Sequence, residues 1–178
     1  MREIPDIFQK RYLAHQERKK KLLNGETQDI SFGEYGQEDY ESLMRIMRYR
    51  RSRRMFKGKV SDDEMRVLEK AVMYSPSSCN RKAIEVIESK KGVETLVGGK
   101  CWVDKADRIM LFYANIQAYK SPNEVDFMPY LDTGFVAQNI YLVCEVLNIK
   151  CCFINPNHSG TEIEREGYRF CGAMAIGR

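Results

Sequence analysis

A cluster of basic residues is the first feature of the sequence that could do chemistry. Arg50, Arg51, Arg53 and Arg54 lie within five residues, with Ser52 among them. Guanidinium groups match phosphate oxygens with paired hydrogen bonds, and a serine hydroxyl adds a neutral donor. The segment therefore suits a bound phosphate ester. On composition alone, a solvated basic surface or a nucleic-acid contact is about equally open as an interpretation.

A second polar segment follows about one helix later. It runs Pro-Ser-Ser-Cys-Asn-Arg over residues 76–81, and by itself it favours ordinary turn hydrogen bonds. Between the two segments, Ser61 and Glu64 have the spacing of a capping box. Apolar residues at helical spacing then predict a helix over 61–74, which Pro76 ends.

The remaining apolar pattern predicts the elements that must position these segments. Strands are predicted over 83–88, 108–114, 151–154 and 171–176, and helices over 4–23, 39–50 and 131–147, with a linker over 24–39. The helix over 131–147 is apolar nearly all round, which predicts a central buried helix. No Gly-x-Gly-x-x-Gly follows a strand, so a Rossmann dinucleotide site is disfavoured. The irregular order of strands and helices predicts an α+β fold.

Length and composition indicate how many domains the chain has and whether it is a membrane protein. The 178 residues, 43% hydrophobic, predict one compact domain over 46–178 with a basic helical extension over 1–45. Residues 1–58 hold 14 of the 29 Lys and Arg residues but 9 of the 25 Asp and Glu, so the basicity is local. No apolar run approaches a membrane span, and the first residues are polar and basic. We therefore expect a soluble cytoplasmic protein without a membrane partner.

The six cysteines predict free thiols and no metal centre. The chain is too rich in core residues to need a disulfide framework, and it contains no CxxC pair or His-x-x-x-His. The adjacent Cys151 and Cys152 begin an apolar strand, which predicts buried thiols more than a redox centre. Trp102 is expected to be a packing anchor.

Three motifs in one order make the sequence recognisable. They are Arg-Arg-Ser-Arg-Arg-Met-Phe at 50–56, Pro-Ser-Ser-Cys-Asn-Arg at 76–81 and Leu-Asp-Thr-Gly-Phe-Val-Ala-Gln-Asn at 131–139. In order and separation they resemble the FMN-dependent nitroreductase family, over about residues 48–177. The resemblance implies a nitroreductase-like α+β sandwich: a mainly antiparallel central sheet, flanked by helices around a long buried helix. It also implies a homodimer with FMN at the subunit interface.

The resemblance further implies which residues bind FMN. They are Arg50, Arg51, Ser52 and Arg54 in the basic segment, Pro76, Ser77, Ser78 and Asn80 in the polar loop, and Phe153, Ile154 and Asn155 after the buried helix. The first three match the phosphate grip, and Arg54 matches a cation at the N1–C2 edge of the flavin, where reduction builds negative charge. The polar loop is implied to reach the flavin from the other subunit. The last segment is implied to face the ring near N5.

The function implied by the resemblance is an FMN-dependent NAD(P)H oxidoreductase. In such an enzyme NAD(P)H reduces the flavin by hydride transfer and leaves, and an electron-poor acceptor, a nitroaromatic or a quinone, is then reduced in a ping-pong cycle. The flavin N5 carries the reaction, so no catalytic side chain is expected. A non-catalytic FMN-binding or redox-sensing protein of the same fold is the alternative. Nucleic-acid binding through 50–54 and 19–21 is disfavoured, because residues 59–178 carry no net basic charge.

The sequence also departs from the family pattern. Residues 82–84 read Lys-Ala-Ile where relatives continue toward Gln-Pro-Trp, which predicts a changed ring-facing wall with added positive charge. The family's C-terminal Lys or Arg that closes the phosphate site has no counterpart beyond Arg178, so we expect weaker FMN binding unless Arg178 or segment 50–54 replaces it. The interval 116–129 is short for a helical lid, which predicts an open or partner-completed active site.

Overall fold

A computed structural model describes residues 35–97, 102–157 and 163–178, together with Glu17. Apart from Glu17, the predicted helix over 4–23 lies outside the described residues, as does the predicted linker before residue 35. Contacts divide the chain into two units, Met1–Tyr40 and Glu41–Arg178. The second unit contains every candidate site residue named above.

The second unit is built on a four-stranded sheet in the order β1-β2-β4-β3. The strands are β1 (Ile84–Glu88), β2 (Arg108–Asn115), β3 (Lys150–Ile154) and β4 (Tyr168–Gly177). Every neighbouring pair is antiparallel. The continuous apolar run of β2 is buried from Ile109 to Ala114, because this strand lies inside the sheet and is covered on both faces. The predicted α+β fold with a mainly antiparallel sheet is confirmed.

Helix α4 (Pro122–Val146) packs on this sheet, and α2 (Asp62–Tyr74) packs on α4. The other helices are α1 (Gln37–Tyr49), which buries no residue, and the short α3 (Val93–Leu96), with 3₁₀ turns at Ser78–Asn80 and Ile116–Ala118. At the start of α2 the Ser61 hydroxyl accepts from the Glu64 N–H, and the Glu64 carboxylate accepts from the Ser61 N–H. The predicted capping box is therefore confirmed, and α2 ends before Pro76 as expected.

Helix α4 begins earlier than the sequence pattern indicates. We predicted a start at 131, but Ser121 caps the helix through the Glu124 N–H and Pro122 occupies the first turn. Pro129 lies inside the helix and does not mark its boundary. Much of the interval 116–129 is therefore helical.

The two faces of α4 differ. Ile140 and Cys144 are buried against the sheet, whereas Phe127, Leu131 and Phe135 are exposed. The helix is apolar nearly all round because one face packs in the core and the other forms an exposed apolar surface.

The sheet separates two apolar cores. Phe112, Met174 and Ile140 belong to the core under α2 and α4. Ile109 and Phe56 belong to the core on the opposite face, and Trp102 packs beside it. Trp102 lies 6.3 Å from Phe56 between ring centroids, which confirms its predicted packing role.

The described cysteines are free, and Cys151 and Cys152 are buried as predicted. Among the described residues no group of three His, Cys, Asp or Glu side chains could hold a metal ion. No helix in the described part of the chain has the length and apolar character to span a membrane.

Candidate functional site

The basic segment leaves the end of α1 and runs beside the edge strand β3. The Arg53 N–H donates to the Cys151 carbonyl at 2.9 Å, which attaches the segment to this strand. Arg51 Nη1 donates to the carbonyls of Arg48 and Arg50 at 2.6 and 2.8 Å, and so caps the last turn of α1. The segment is therefore fixed by main-chain contacts at both ends.

Tyr141 on α4 joins three of the predicted residues. Its hydroxyl lies 2.9 Å from Ser52 Oγ and accepts from the Phe153 N–H at 2.7 Å. The Arg50 guanidinium lies 4.9 Å from the centre of the Tyr141 ring. Tyr141 is 8% exposed, and burial raises the pKa of its hydroxyl. Residues far apart in sequence, from the basic segment and from β3, thus meet at one buried side chain.

A pocket of about 340 Å³ opens beside Tyr141. It is lined by Tyr130, Gly134, Ala137, Gln138, Tyr141, Phe153, Asn155, Pro156 and Cys171. Gly134 has nothing within 4 Å of the position that a Cβ would take, so the helix side of the pocket is open. The volume and the aromatic lining with a few polar groups are typical of a small-molecule site.

Gly172 sets the position of Phe153 in this pocket. A Cβ at Gly172 would lie 2.4 Å from Phe153 Cζ and 2.8 Å from the Ile154 carbonyl oxygen. Gly172 also has a φ of +134°, beside an irregularity in the pairing of β2 with β4. Only glycine allows the Phe153 ring to lie this close to the backbone of β4.

Ile154 and Arg54 are placed differently. Successive side chains of a strand point to opposite faces, so Ile154 lies in the core across the sheet from Phe153. The Arg54 guanidinium lies 5.7 Å from the ring centre of Trp102. The structure thus brings Arg50, Ser52 and Phe153 together at Tyr141 and directs Ile154 across the sheet. The Arg54 side chain also hydrogen-bonds the Cys152 thiol, which Ser52 contacts as well.

The polar loop is held by a buried carboxylate. Asp132 on α4 is fully buried and accepts from the Ser78 N–H and hydroxyl, both at 2.8 Å, and from the Tyr119 hydroxyl at 3.1 Å. Burial, first, and the Asp132 carboxylate both raise the pKa of Tyr119. The loop also contains three residues with left-handed backbone, Cys79, Asn80 and Lys82, at φ of 53°, 54° and 51°. Such strain persists where the surroundings over-determine the backbone, and here they do so through Asp132.

Lys82 has a structural role that the sequence did not indicate. Its ammonium donates to the Met73 and Ser75 carbonyls at the end of α2, at 3.1 and 2.5 Å. Its N–H donates to Ser77 Oγ at 2.9 Å. The expected positive charge near the loop is present, but its ammonium is bonded to the carbonyl end of a helix.

The loop lines a second pocket of about 270 Å³, formed by Val72, Met73, Ser75, Pro76, Ser77, Lys82, Ile84 and Val136. Pro76 and Ser77 therefore lie at one pocket, whereas Phe153 and Asn155 lie at the other. Asn80 is exposed at the loop surface. Within one chain the predicted residues form two groups, each beside a different part of α4.

Arg178 lies apart from the basic segment. Its N–H and carbonyl pair with Gly58, and its guanidinium donates to Glu64 at the start of α2. These contacts tie the last described residue to the loop before α2. The side chain that we considered as a substitute for a phosphate ligand is thus bonded to a carboxylate.

Sequence reasoning missed Asp132 and Tyr141 as organising residues. Asp132 appears in the recognised motif, and a carboxylate inside an apolar helix is a signal for a buried partner. Tyr141 is the one tyrosine between 131 and 147. Its contact with Ser52 spans 89 positions of sequence, and no local pattern indicates it.

Comparison with known proteins agrees with this architecture. A nitroreductase structure with FMN from Desulfovibrio desulfuricans matches with a TM-score of 0.65 and 20% identity, over 76% of this chain and 84% of that one. The NADPH:FMN oxidoreductase of Vibrio harveyi, complexed with NAD+, matches with a TM-score of 0.66 and 17% identity, over 76% and 68%. The chain has the nitroreductase fold. No family profile and no curated protein matches its sequence.

The nitroreductase fold accounts for the elements described above. Nitroreductase A of Vibrio parahaemolyticus also matches, with a TM-score of 0.65 and 17% identity over 76% of this chain and 66% of that one. At these identities the similarity concerns the fold. The similarity does not extend to what this chain binds, which depends on its own site residues.

Proposed function

We propose that this protein binds FMN in the pocket beside Tyr141 and is an NAD(P)H oxidoreductase that reduces an electron-poor acceptor, such as a nitroaromatic or a quinone. The observation that carries the proposal is the meeting of Arg50, Ser52 and Phe153 at Tyr141, on a nitroreductase fold. These residues come from two of the predicted segments. Their proximity arises from the fold, since Ser52 and Tyr141 lie 89 positions apart in sequence.

The residues at this pocket fit the chemistry of FMN. Arg50 and Ser52 contact Tyr141, which lines the pocket, and with the neighbouring Arg51 they form a cationic segment that suits a phosphate ester. The lining itself presents the ring of Phe153 and the amide of Asn155, which suit a flat heterocycle with polar edges. Gly134 leaves the helix side of the pocket open to a ligand.

Each residue then has a defined task. Arg50, Arg51 and Ser52 neutralise and orient the phosphate, and Phe153 supplies an apolar surface for the ring. When bound, the flavin accepts a hydride from NAD(P)H and passes electrons to the acceptor. Arg54, which lies over the Trp102 ring and hydrogen-bonds the Cys152 thiol, supplies the cation at the N1–C2 edge of the flavin.

The proposal includes a homodimer. Leu43, Met44 and Met47 of α1 are 48%, 46% and 46% exposed, and the exposed face of α4 adds further apolar side chains. Clustered apolar surface of this kind marks an interface. A second copy that covers these faces supplies the route by which the loop at Pro76, Ser77, Ser78 and Asn80 reaches a flavin held by its partner. We therefore propose that the two groups of site residues act across subunits.

The first experiment is an absorbance spectrum of the purified, dialysed protein, followed by titration with FMN and assay of NADH and NADPH oxidation with menadione. We expect stoichiometric FMN and turnover above that of free FMN. A flavin-loaded protein without such turnover would contradict the enzyme and favour the redox-sensing alternative. A colourless protein that takes up no added FMN would overturn the proposal.

Two substitutions distinguish a flavin mechanism from a thiol mechanism. Arg51→Ala removes a guanidinium that also caps α1, and it is expected to weaken FMN binding by about tenfold through the loss of a charge-assisted contact. Cys151→Ser is expected to leave binding and turnover nearly intact. Arg66→Ala, which removes an exposed arginine from α2, is the matched control for charge. The opposite ranking would favour a thiol mechanism.

A further inference from the structure

We infer that Tyr141 is the positioning residue of the phosphate end of this site, with its ring orienting Arg50 and its hydroxyl directing the Ser52 hydroxyl toward the bound phosphate. The inference rests on the proposed function and deepens it. It assigns a role to a residue on α4 that lies in none of the recognised motifs.

The Tyr141 hydroxyl has two hydrogen-bond neighbours, the Phe153 N–H and the Ser52 hydroxyl. The Phe153 N–H donates to the Tyr141 oxygen at 2.7 Å, which uses one acceptor position. Tyr141 keeps its proton, because burial raises its pKa. Ser52 Oγ lies 2.9 Å away, within reach of that proton. If Tyr141 donates to Ser52, the Ser52 proton is left for the Cys152 sulfur, which is a weak acceptor, or for an anion, which is the stronger one.

The result is a chain of donors that ends at the ligand. It runs from the Phe153 N–H to Tyr141, from Tyr141 to Ser52, and from Ser52 to a phosphate oxygen. Hydrogen bonds in such a chain polarise one another. The direction of the last bond is set by Tyr141 before the ligand arrives.

The Tyr141 ring contacts the Arg50 side chain. The Arg50 guanidinium lies 4.9 Å from the centre of the Tyr141 ring, within the range of a cation–π contact. A long side chain held in place before binding loses less conformational freedom when it binds. Tyr141 therefore orders two of the three predicted phosphate ligands at once.

Arg53, which follows Ser52, pairs with a carboxylate and does not contact Tyr141 in the same way. Arg53 pairs with Glu145, one turn further along α4, at 2.6 and 3.2 Å. The side-chain hydrogen bond to Glu145 is the first cause of the raised pKa of Arg53. Glu145 holds the segment against the helix, while Tyr141 sets the two residues that are proposed to face the phosphate.

The test compares FMN with riboflavin, which lacks the phosphate. FMN, riboflavin and inorganic phosphate are titrated into the wild type, Tyr141→Phe, Ser52→Ala and the double variant. We expect Tyr141→Phe to weaken FMN binding by about tenfold and riboflavin binding by less than about twofold. In the Ser52→Ala background, Tyr141→Phe is expected to have little further effect on FMN, because the two residues act as one unit.

Two further variants complete the set. Tyr141→Leu also removes the ring under Arg50 and is expected to lose more FMN affinity than Tyr141→Phe. Tyr130→Phe removes a hydroxyl from the same pocket and is the matched control, with no expected change in the ratio of FMN to riboflavin affinity. A site-specific 3-fluorotyrosine at position 141 keeps the side-chain contacts. Its fluorine resonance is expected to shift with FMN or phosphate, and to stay unshifted when Ser52 is alanine.

Each remaining outcome decides the matter. Equal loss of FMN and riboflavin affinity in Tyr141→Phe, or additive losses with Ser52→Ala, would show a merely structural role and overturn the inference. If Tyr141→Phe does not fold, the fluorine resonance decides. If the wild type takes up neither flavin, the proposed function fails. The inference then stands only if inorganic phosphate binds in a manner that depends on both Tyr141 and Ser52, and otherwise fails as well.

Discussion

The two groups of candidate site residues are attached to the same helix by different chemistry. The polar loop is anchored to α4 through Asp132, a fully buried carboxylate with three donors. The basic segment is anchored through Tyr141, which is neutral, and through Glu145 near the surface. One attachment is a buried charge, and the other is a neutral hydroxyl reinforced by a partly exposed ion pair.

This difference indicates what each region tolerates. A buried carboxylate is costly to leave unpaired, and its donors are costly to leave unsatisfied. The loop at Asp132 can therefore hold three left-handed residues in place. The basic segment has no such fixed carboxylate, so its side chains depend on contacts that a ligand can complete. We expect the loop to set stability and the basic segment to set affinity.

Loss of Asp132 is the largest expected effect. Asp132→Ala leaves the Ser78 N–H and hydroxyl and the Tyr119 hydroxyl without their acceptor. We expect the free energy of unfolding to fall by about 4 kcal/mol, measured by urea denaturation. Asp126→Ala, an exposed site on the same helix, is the control and is expected to change it by less than about 0.5 kcal/mol. Similar losses of unfolding free energy in both variants would show that the buried Asp132 contacts are not what stabilises the loop.

A pair of glycine substitutions tests the basic side of the comparison. Gly172→Ala places a Cβ against the Phe153 ring and the Ile154 carbonyl at a φ of +134°, so we expect about 3 kcal/mol of destabilisation and a displaced Phe153. Gly167→Ala has the strained φ of +75° but open space, and should cost about 1 kcal/mol. Calorimetry measures both. Equal costs would mean that contact with Phe153 does not constrain the pocket.

The smallest expected effect concerns acid. Burial alone would raise the pKa of Glu124, but the Lys120 N–H and the Arg81 guanidinium hold it below its ordinary value of 4.5. The stabilisation is thus present above about pH 4.5 and is lost as pH falls through the lowered pKa. We expect less than about 1 kcal/mol, since the pair is partly exposed.

The acid effect is measured as the free energy of unfolding between pH 3 and pH 6. Glu124→Gln should flatten the profile, and Arg81→Gln should flatten it only in part, because the Lys120 N–H remains. A pH profile that Glu124→Gln leaves unchanged would show that the Arg81–Glu124 ion pair does not help to hold the loop.

Local signals predicted most of the elements. The Ser61 and Glu64 capping box, the apolar run of β2 and the Pro76 boundary are each decided by residues adjacent in sequence, so the structure agrees with them. The start of α4 was missed because the prediction followed the continuous apolar segment that begins at Leu131. Pro129 is tolerated within a helix that Ser121 and Pro122 begin further upstream.

The site was predictable only in part. Residue types indicated which segments could bind a phosphate, and the fold brings Arg50, Ser52 and Phe153 together. The roles of Tyr141 and Asp132 depend on contacts that span 89 and 54 positions. Phe153 and Ile154 lie on opposite faces of β3. A run of apolar residues in the sequence does not indicate which of the two side chains faces the pocket.

The interior position of β4 also constrains how the chain is made. β4 follows the other strands in sequence, yet it lies between β2 and β3 in the sheet. A chain leaving the ribosome can pair β1 with β2 early, but β3 has no neighbour until Tyr168–Gly177 emerges. Until then an unpaired edge of β2 and the thiol-bearing strand β3 are open to association. Nascent chains stalled before residue 168 should therefore be the ones that chaperones hold.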